Sequence, residues 1–138
     1  MLVGIQFGAI SWLCFTGPLI CRSLFCLFAE LFAIVIIMAG IFHLNWKSFS
    51  VFPEPRPDGQ LETTGIYGII RHPMYAGVLL ISTLLIWEYP ETSRIIAGVL
   101  LTVVILVKIR NEEKWLANRY PQFGEWKSRT NRLIPFIW

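Results

Sequence analysis

The sequence predicts an all-α, polytopic membrane protein with about four transmembrane helices, and three observations predict it. Of 138 residues, 55% are hydrophobic and only 15% charged, with a mean hydropathy of +0.59; soluble domains carry about 25% charge. Four apolar segments follow one another without the alternation of strands and without an internal repeat. Basic residues gather on one side of those segments, as membrane topology favours. Helices are also what a lipid-exposed chain needs, because every backbone N–H must find its partner within its own segment.

Taken in order, Leu2 to Ile20 and Leu24 to Leu44 each approach the roughly 20 residues that cross a bilayer as a helix. The first has no basic residue before it and no small-residue cleavage site leading into a soluble domain, so it reads as a retained span. Pro73 to Trp87 and Ile95 to Val107 are shorter and suit locally thinned membrane or extension by interfacial residues. The polar turn "EYPETSR" between them makes the pair an antiparallel hairpin. One membrane domain is expected over residues 1–138: two N-terminal helices in 1–44, a loop in 45–72, the hairpin in 73–110 and a tail in 111–138.

Four spans put the N-terminus, the central loop and the tail on one side. That side then holds Lys47, Arg56, Arg71, Lys108, Arg110, Lys114, Arg119, Lys127, Arg129 and Arg132, leaving only Arg22 and Arg94 of the 12 basic residues opposite. The crowded side is expected to be cytoplasmic, with both termini there. A net charge of +3 with no basic stripe of base-stacking aromatics argues against nucleic acid. Cys14, Cys21 and Cys26 lack paired Cys-x-x-Cys spacing, so they are expected as core or lipid-facing residues and no metal is expected. In the central loop, Pro53, Pro55 and Pro57 favour a stiff extended path, while Leu61, Ile66, Tyr67, Ile69 and Ile70 predict packing against helix ends.

The chemistry gathers at the expected cytoplasmic face. In "GIYGIIRHPMYAG", Pro73 suits the first position of a helix, where its missing N–H costs nothing. That N-terminus offers free N–H groups to an anion, and Arg71 and His72 add donors beside it. In "KIRNEEKWL", Glu112 and Glu113 suit a cation or the hydroxyls of a sugar. Taken singly, the first cluster reads as an interfacial anchor and the second as a solvated helix end. The hairpin brings both to one side, which favours a shared site.

Together, "LETTGIYGIIRHPMYAG", the hairpin, "NEEKWL" and the tail "YPQFGEWKSRTNRLIPFIW" resemble the isoprenylcysteine carboxyl methyltransferase family, within a wider group similar to phospholipid N-methyltransferases. The resemblance covers residues 59–138 and rests on four separated motifs in order. It implies an integral-membrane enzyme using S-adenosylmethionine at a cytoplasmic cofactor site, without a Rossmann domain; "GIYG" is not a dinucleotide fingerprint. It further implies that Gly59, Gln60, Leu61 and Glu62 line the cofactor pocket and that Tyr67, His72 and Glu112 contact cofactor. Gly65, Pro73, Tyr75 and Glu113 complete the expected set. Arg71 and His72 are the expected catalytic pair, and Lys108 and Arg110 are expected to meet the substrate. Lys108 stands where the prenylcysteine enzyme has an arginine, and a lysine lacks the two-pronged fit to a carboxylate.

Methyl transfer from a sulfonium needs alignment and exclusion of water more than a strong base. That agrees with a chain holding two histidines. The acceptor is expected to be lipophilic or small: a prenylcysteine-like carboxylate, a phospholipid amine or a thiol. The bilayer itself is the other expected partner, and the sequence leaves oligomeric state open. Two alternatives are an NADPH-dependent membrane reductase of similar architecture and a non-catalytic accessory protein. Glu30 is expected at an interface or a helix contact, His43 as an interfacial polar residue, and Gly4, Gly8, Ala39 and Gly40 at close helix contacts.

Overall fold

The structure, a computed structural model, describes residues 1–43 and 61–135. Among them are α1 (Leu2–Phe15), α2 (Leu24–His43), a 3-10 turn (Gly65–Gly68), α3 (Pro73–Glu88), α4 (Thr92–Arg119) and α5 (Phe123–Arg129). The described residues form no strand; one isolated parallel bridge joins Ile70 to Asn131. The proline run at 53–57, together with Gly59 and Gln60, lies outside the described residues.

Local chemistry explains the helix ends. α1 stops at Phe15, five residues short of the apolar segment's end, because Gly17 and Pro18 follow. Thr16 turns the end in by donating its N–H and its hydroxyl to Trp12 O, at 3.0 and 2.6 Å. Ser23 Oγ accepts the Cys26 N–H at 3.2 Å, the bond expected of an N-cap, and α2 begins there. Pro73 opens α3 as expected. α4 is the main departure. It does not end near Val107 but continues through the charged stretch to Arg119, before Pro121.

The bundle is built around α4. Its buried positions Ala97, Leu101, Val104, Ile105, Lys108 and Ile109 recur at three- and four-residue steps, making one inward stripe. Against it pack Ala9 and Leu13 of α1, with Tyr75, Val78 and Leu79 of α3 at the edge of the same core. α2 lies on α3, and Gly77 permits the approach: a Cβ there would stand 2.8 Å from Ala33 O. Gly40 serves the same contact, 3.0 Å from Met74 Cγ by the same measure, but Gly4 and Gly8 face open space rather than a neighbouring helix.

α2 and α4 are long and apolar enough to cross a bilayer, whereas α1 and α3, at 14 and 16 residues, are shorter. The exterior carries Phe25, Phe28, Phe32, Val35, Ile96 and Val99, all exposed. Lipid solvates such a surface and water does not. Two polar side chains brace the interior at the far end from the motifs. Arg94, fully buried, donates to Leu13 O at 2.9 Å, Thr16 Oγ1 at 3.2 Å and Leu85 O at 2.8 Å. It satisfies carbonyls at the C-terminal ends of α1 and α3, where a cation also suits the helix dipoles. Glu30 is buried and accepts the Cys21 N–H at 3.2 Å, tying the α1–α2 connection to α2.

Candidate functional site

The start of α3 and the distal half of α4 meet around one imidazole. Neighbouring helical residues diverge by about 100°, so Glu112 and Glu113 cannot share a direction. His72 lies between them, Nδ1 3.6 Å from Glu112 Oε2 and Nε2 3.6 Å from Glu113 Oε1. Nε2 is buried without a hydrogen-bond partner among the described residues. One turn into α3, the Tyr75 ring stacks on the imidazole at 5.8 Å, and its hydroxyl donates to Glu112 Oε1 at 2.5 Å.

Lys108 lies one turn before Glu112 on the same face of α4. It is buried, its Nζ 5.2 Å from the centre of the Tyr75 ring and 2.7 Å from Gln6 Oε1, to which it donates. Arg110, two residues on, turns away and is exposed. The structure thus brings Lys108 to the cluster and leaves Arg110 outside it.

Glu113 and Arg71 do different work. Arg71 Nε donates to Glu113 Oε1 at 3.0 Å, and Arg132 closes on the same carboxylate with Nε at 3.1 Å and Nη2 at 2.9 Å from Oε2. Arg71 Nη1 donates to Lys127 O and Thr130 Oγ1, each at 3.1 Å, and to Thr130 O. The backbone repeats the clasp: Arg71 N–H donates to Asn131 O at 2.7 Å and His72 N–H to Arg132 O at 3.0 Å. Arg71 therefore ties the tail across the mouth of α3.

The segment before α3 forms the wall beside this cluster. Gly65 adopts φ 55°, where a side chain is strained, and a Cβ would collide with the His43 ring. Tyr67 is buried with Phe123 and Trp126, and Leu61 packs on that group. Its hydroxyl donates to Gly40 O at 3.2 Å. Burial first, then the charges of Glu112 and Glu62, push its pKa up to about 12, so it remains a donor near neutral pH. Glu62 accepts from the Thr64 N–H at 3.1 Å and hydroxyl at 2.5 Å, fixing the turn rather than reaching the cluster.

Sequence reasoning missed Gln6, Thr130 and Arg132 as partners of this cluster, and His43 as a neighbour of Gly65. Gln6 carried a usable signal, a lone amide within an apolar helix, which hydrocarbon tolerates only with a partner. Thr130 carried none, and Arg132 stood in the tail motif with nothing to mark its partner.

Among the described residues, two helices are long and apolar enough to cross a bilayer. A buried ionic cluster lies where α3 begins beside the distal half of α4, as suits a membrane protein with a polar cluster at one end of its bundle. The chain belongs to the phospholipid methyltransferase family, which residues 20–122 match. The wider methyltransferase group that the motifs resemble is thereby established, and the chain is a membrane protein of that group. A curated relative, the cobalt-zinc-cadmium resistance protein CzcN of Cupriavidus metallidurans, is 32% identical over 88 residues. Those residues are 62% of this chain, which spans 40% of that relative's length.

Methyltransferases of this family generally use S-adenosylmethionine, and the residues present fit such a group. Glu112 accepts a hydrogen bond from Tyr75 and leaves carboxylate capacity for an ammonium or for ribose hydroxyls. The unpartnered His72 Nε2 marks polar capacity that the described chain leaves unused.

Proposed function

We propose that the chain is an S-adenosylmethionine-dependent membrane methyltransferase acting on a lipophilic or small acceptor. What supports this most directly is the meeting of His72 and Tyr75 with Glu112, two motifs 37 or more residues apart converging on one cluster. S-adenosylmethionine would supply an activated methyl group on a sulfonium.

The chain's own residues bind, orient and exclude water. Glu112 holds the ammonium or ribose end, with the Tyr75 hydroxyl fixing its rotamer. His72 presents a donor from within the cluster, and the Tyr75 and Tyr67 rings border the cofactor. Leu61, Glu62, Gly65 and Pro73 form the adjoining wall; Gly59 and Gln60, expected from the resemblance to line the pocket, lie outside the described residues. Arg71 and Glu113 act by positioning, since both are engaged in the clasp on the tail. Lys108 faces the acceptor's polar head from the bilayer side, and Arg110 draws anionic headgroups to the outer surface.

The bundle crosses the membrane four times with both termini cytoplasmic, the arrangement that leaves 10 of 12 basic residues inside. A lipid tail then approaches sideways while the soluble cofactor arrives from the cytoplasm. The acceptor is a prenylcysteine-like carboxylate, a phospholipid amine or a thiol.

Calorimetry in detergent tests the cofactor site. Wild type is expected to bind S-adenosylmethionine but not NADPH, and His72→Ala and Glu112→Gln to lose at least tenfold in affinity. Unchanged affinity in both variants rejects the site. Incubation with labelled methyl donor and total membrane lipid extract then identifies the acceptor.

A further inference from the structure

At the opposite end of the bundle, three residues from separate parts of the chain converge. Cys21 lies in the α1–α2 connection, Cys26 in the first turn of α2, and Glu88 is the last residue of α3. One ligand atom from each, two thiol sulfurs and a carboxylate oxygen, lies within 4.8 Å of the other two. Both cysteines are free and buried, and Glu88 is half-buried.

The carboxylates around them are held by backbone. Arg22 N–H donates to Glu88 Oε1 at 3.1 Å, and Cys21 N–H donates to Glu30 Oε2 at 3.2 Å. Cys26 N–H is held by Ser23 Oγ at 3.2 Å. The connection therefore fixes sulfur and oxygen together in one corner. Among the described residues, no basic side chain pairs with Glu30 or Glu88. The two carboxylates thus have backbone donors but no basic side chain beside them, and a cation placed among them would be stabilised in this partly desolvated corner.

We propose that Cys21, Cys26 and Glu88 form a binding site for a divalent transition-metal ion of the zinc, cobalt or cadmium type. Two sulfurs select a soft or borderline cation over magnesium or calcium. A tetrahedral zinc with bonds of about 2.3 Å to sulfur spaces its sulfurs by about 3.8 Å. The ligand atoms, all within 4.8 Å of one another, stand no more than about 1 Å beyond that spacing. Water completes four ligands. On binding, each thiol gives its proton to solvent and its sulfur takes a bond to the metal. The site is separate from the methyltransferase cluster, because Glu88 and Pro73 are about 22 Å apart along α3. Its absence from the sequence-based expectation has a simple cause: Cys-x4-Cys is no motif, and the third ligand is 62 residues further on.

The test uses the full chain in detergent, reduced and stripped with chelator, then titrated with Co2+ and Zn2+. One equivalent of Co2+ is expected to give the visible bands of a four-coordinate thiolate site, removed by equimolar Zn2+ and unaffected by excess Mg2+. Cys21→Ser and Cys26→Ser are each expected to weaken Co2+ binding at least tenfold, and Glu88→Gln severalfold. Cys14→Ser should bind like wild type. Metal-free melting curves report folding, and Glu88→Gln carries the test if a cysteine variant does not fold. The proposal is overturned by absent bands in wild type, by bands that survive the double serine variant, or by Glu88→Gln binding as wild type. A Cys21–Cys26 disulfide that resists reduction in the folded chain also overturns it.

Discussion

His72 stands between two adjacent carboxylates that the structure uses differently. Glu113 is enclosed by Arg71 and Arg132, and Glu112 meets Tyr75, His72 and the Lys108 side of the cluster. Neutralising each should separate their roles. Glu113→Gln leaves two guanidiniums without their carboxylate, and breaking such a buried pair costs about 3 kcal/mol. Its melting temperature in detergent should fall clearly below wild type. Glu112→Gln keeps the Tyr75 bond and should melt within a degree or two of wild type while losing cofactor affinity. Equal melting temperatures with equal affinities would show that the two glutamates are interchangeable. "EE" announces a pair of carboxylates in the sequence. Which one joins the clasp on the tail depends on partners from α3 and the tail, so it cannot be told from their adjacency.

Among the elements, the tail is the piece whose purpose the sequence conceals most. α5 has seven residues, too few to stand alone as a helix in water. It holds because Phe123 and Trp126 bury themselves against Tyr67, and because Trp126 Nε1 donates to Tyr67 O at 2.8 Å. Trp126→Phe keeps the ring and removes that donor, leaving a buried carbonyl unsatisfied, at a cost of about 1–2 kcal/mol. Hydrogen exchange should then quicken at residues 65–72 more than in α2. Uniform exchange across both would mean that the tail does not support the turn. α4 teaches a related lesson. Hydropathy ends it near Val107 because Lys108, Glu112 and Glu113 are charged. Helical periodicity instead keeps 101, 105, 108, 109 and 113 on the inward stripe, where Lys108 and Glu113 find polar partners on other elements.

For the molecule as a whole, charge and hydropathy make a statement about topology that single residues do not. If four spans hold, reporters fused to either terminus should both read cytoplasmic, and one placed in the Tyr89–Glu91 turn should read the opposite side. Opposite readings at the two termini would mean an odd number of crossings, and the basic residues would then no longer sort to one face. The short α1 and α3 make this a real test, since helices of 14 and 16 residues reach about 21 and 24 Å against a hydrocarbon core of about 30 Å. Both lie beside longer helices, α1 on α4 and α3 between α2 and α4, which suits a locally thinned bilayer.

The helical class, the order of the apolar segments, the hairpin and the two motifs that supply the buried ionic cluster are all legible in the sequence. Each of these is written in neighbouring residues: hydropathy over a span, a proline at a helix start, a pair of glutamates one turn beyond a lysine. Only the tertiary structure decided that Arg71 clasps the tail, that Gln6 of the first helix meets Lys108, and that Cys21 and Cys26 join Glu88 at the far end. These contacts link residues separated by 56 to 102 positions, or by a whole helix. A side chain's partners across a fold follow from how helices pack, and packing is a property of surfaces in space, which linear spacing does not record.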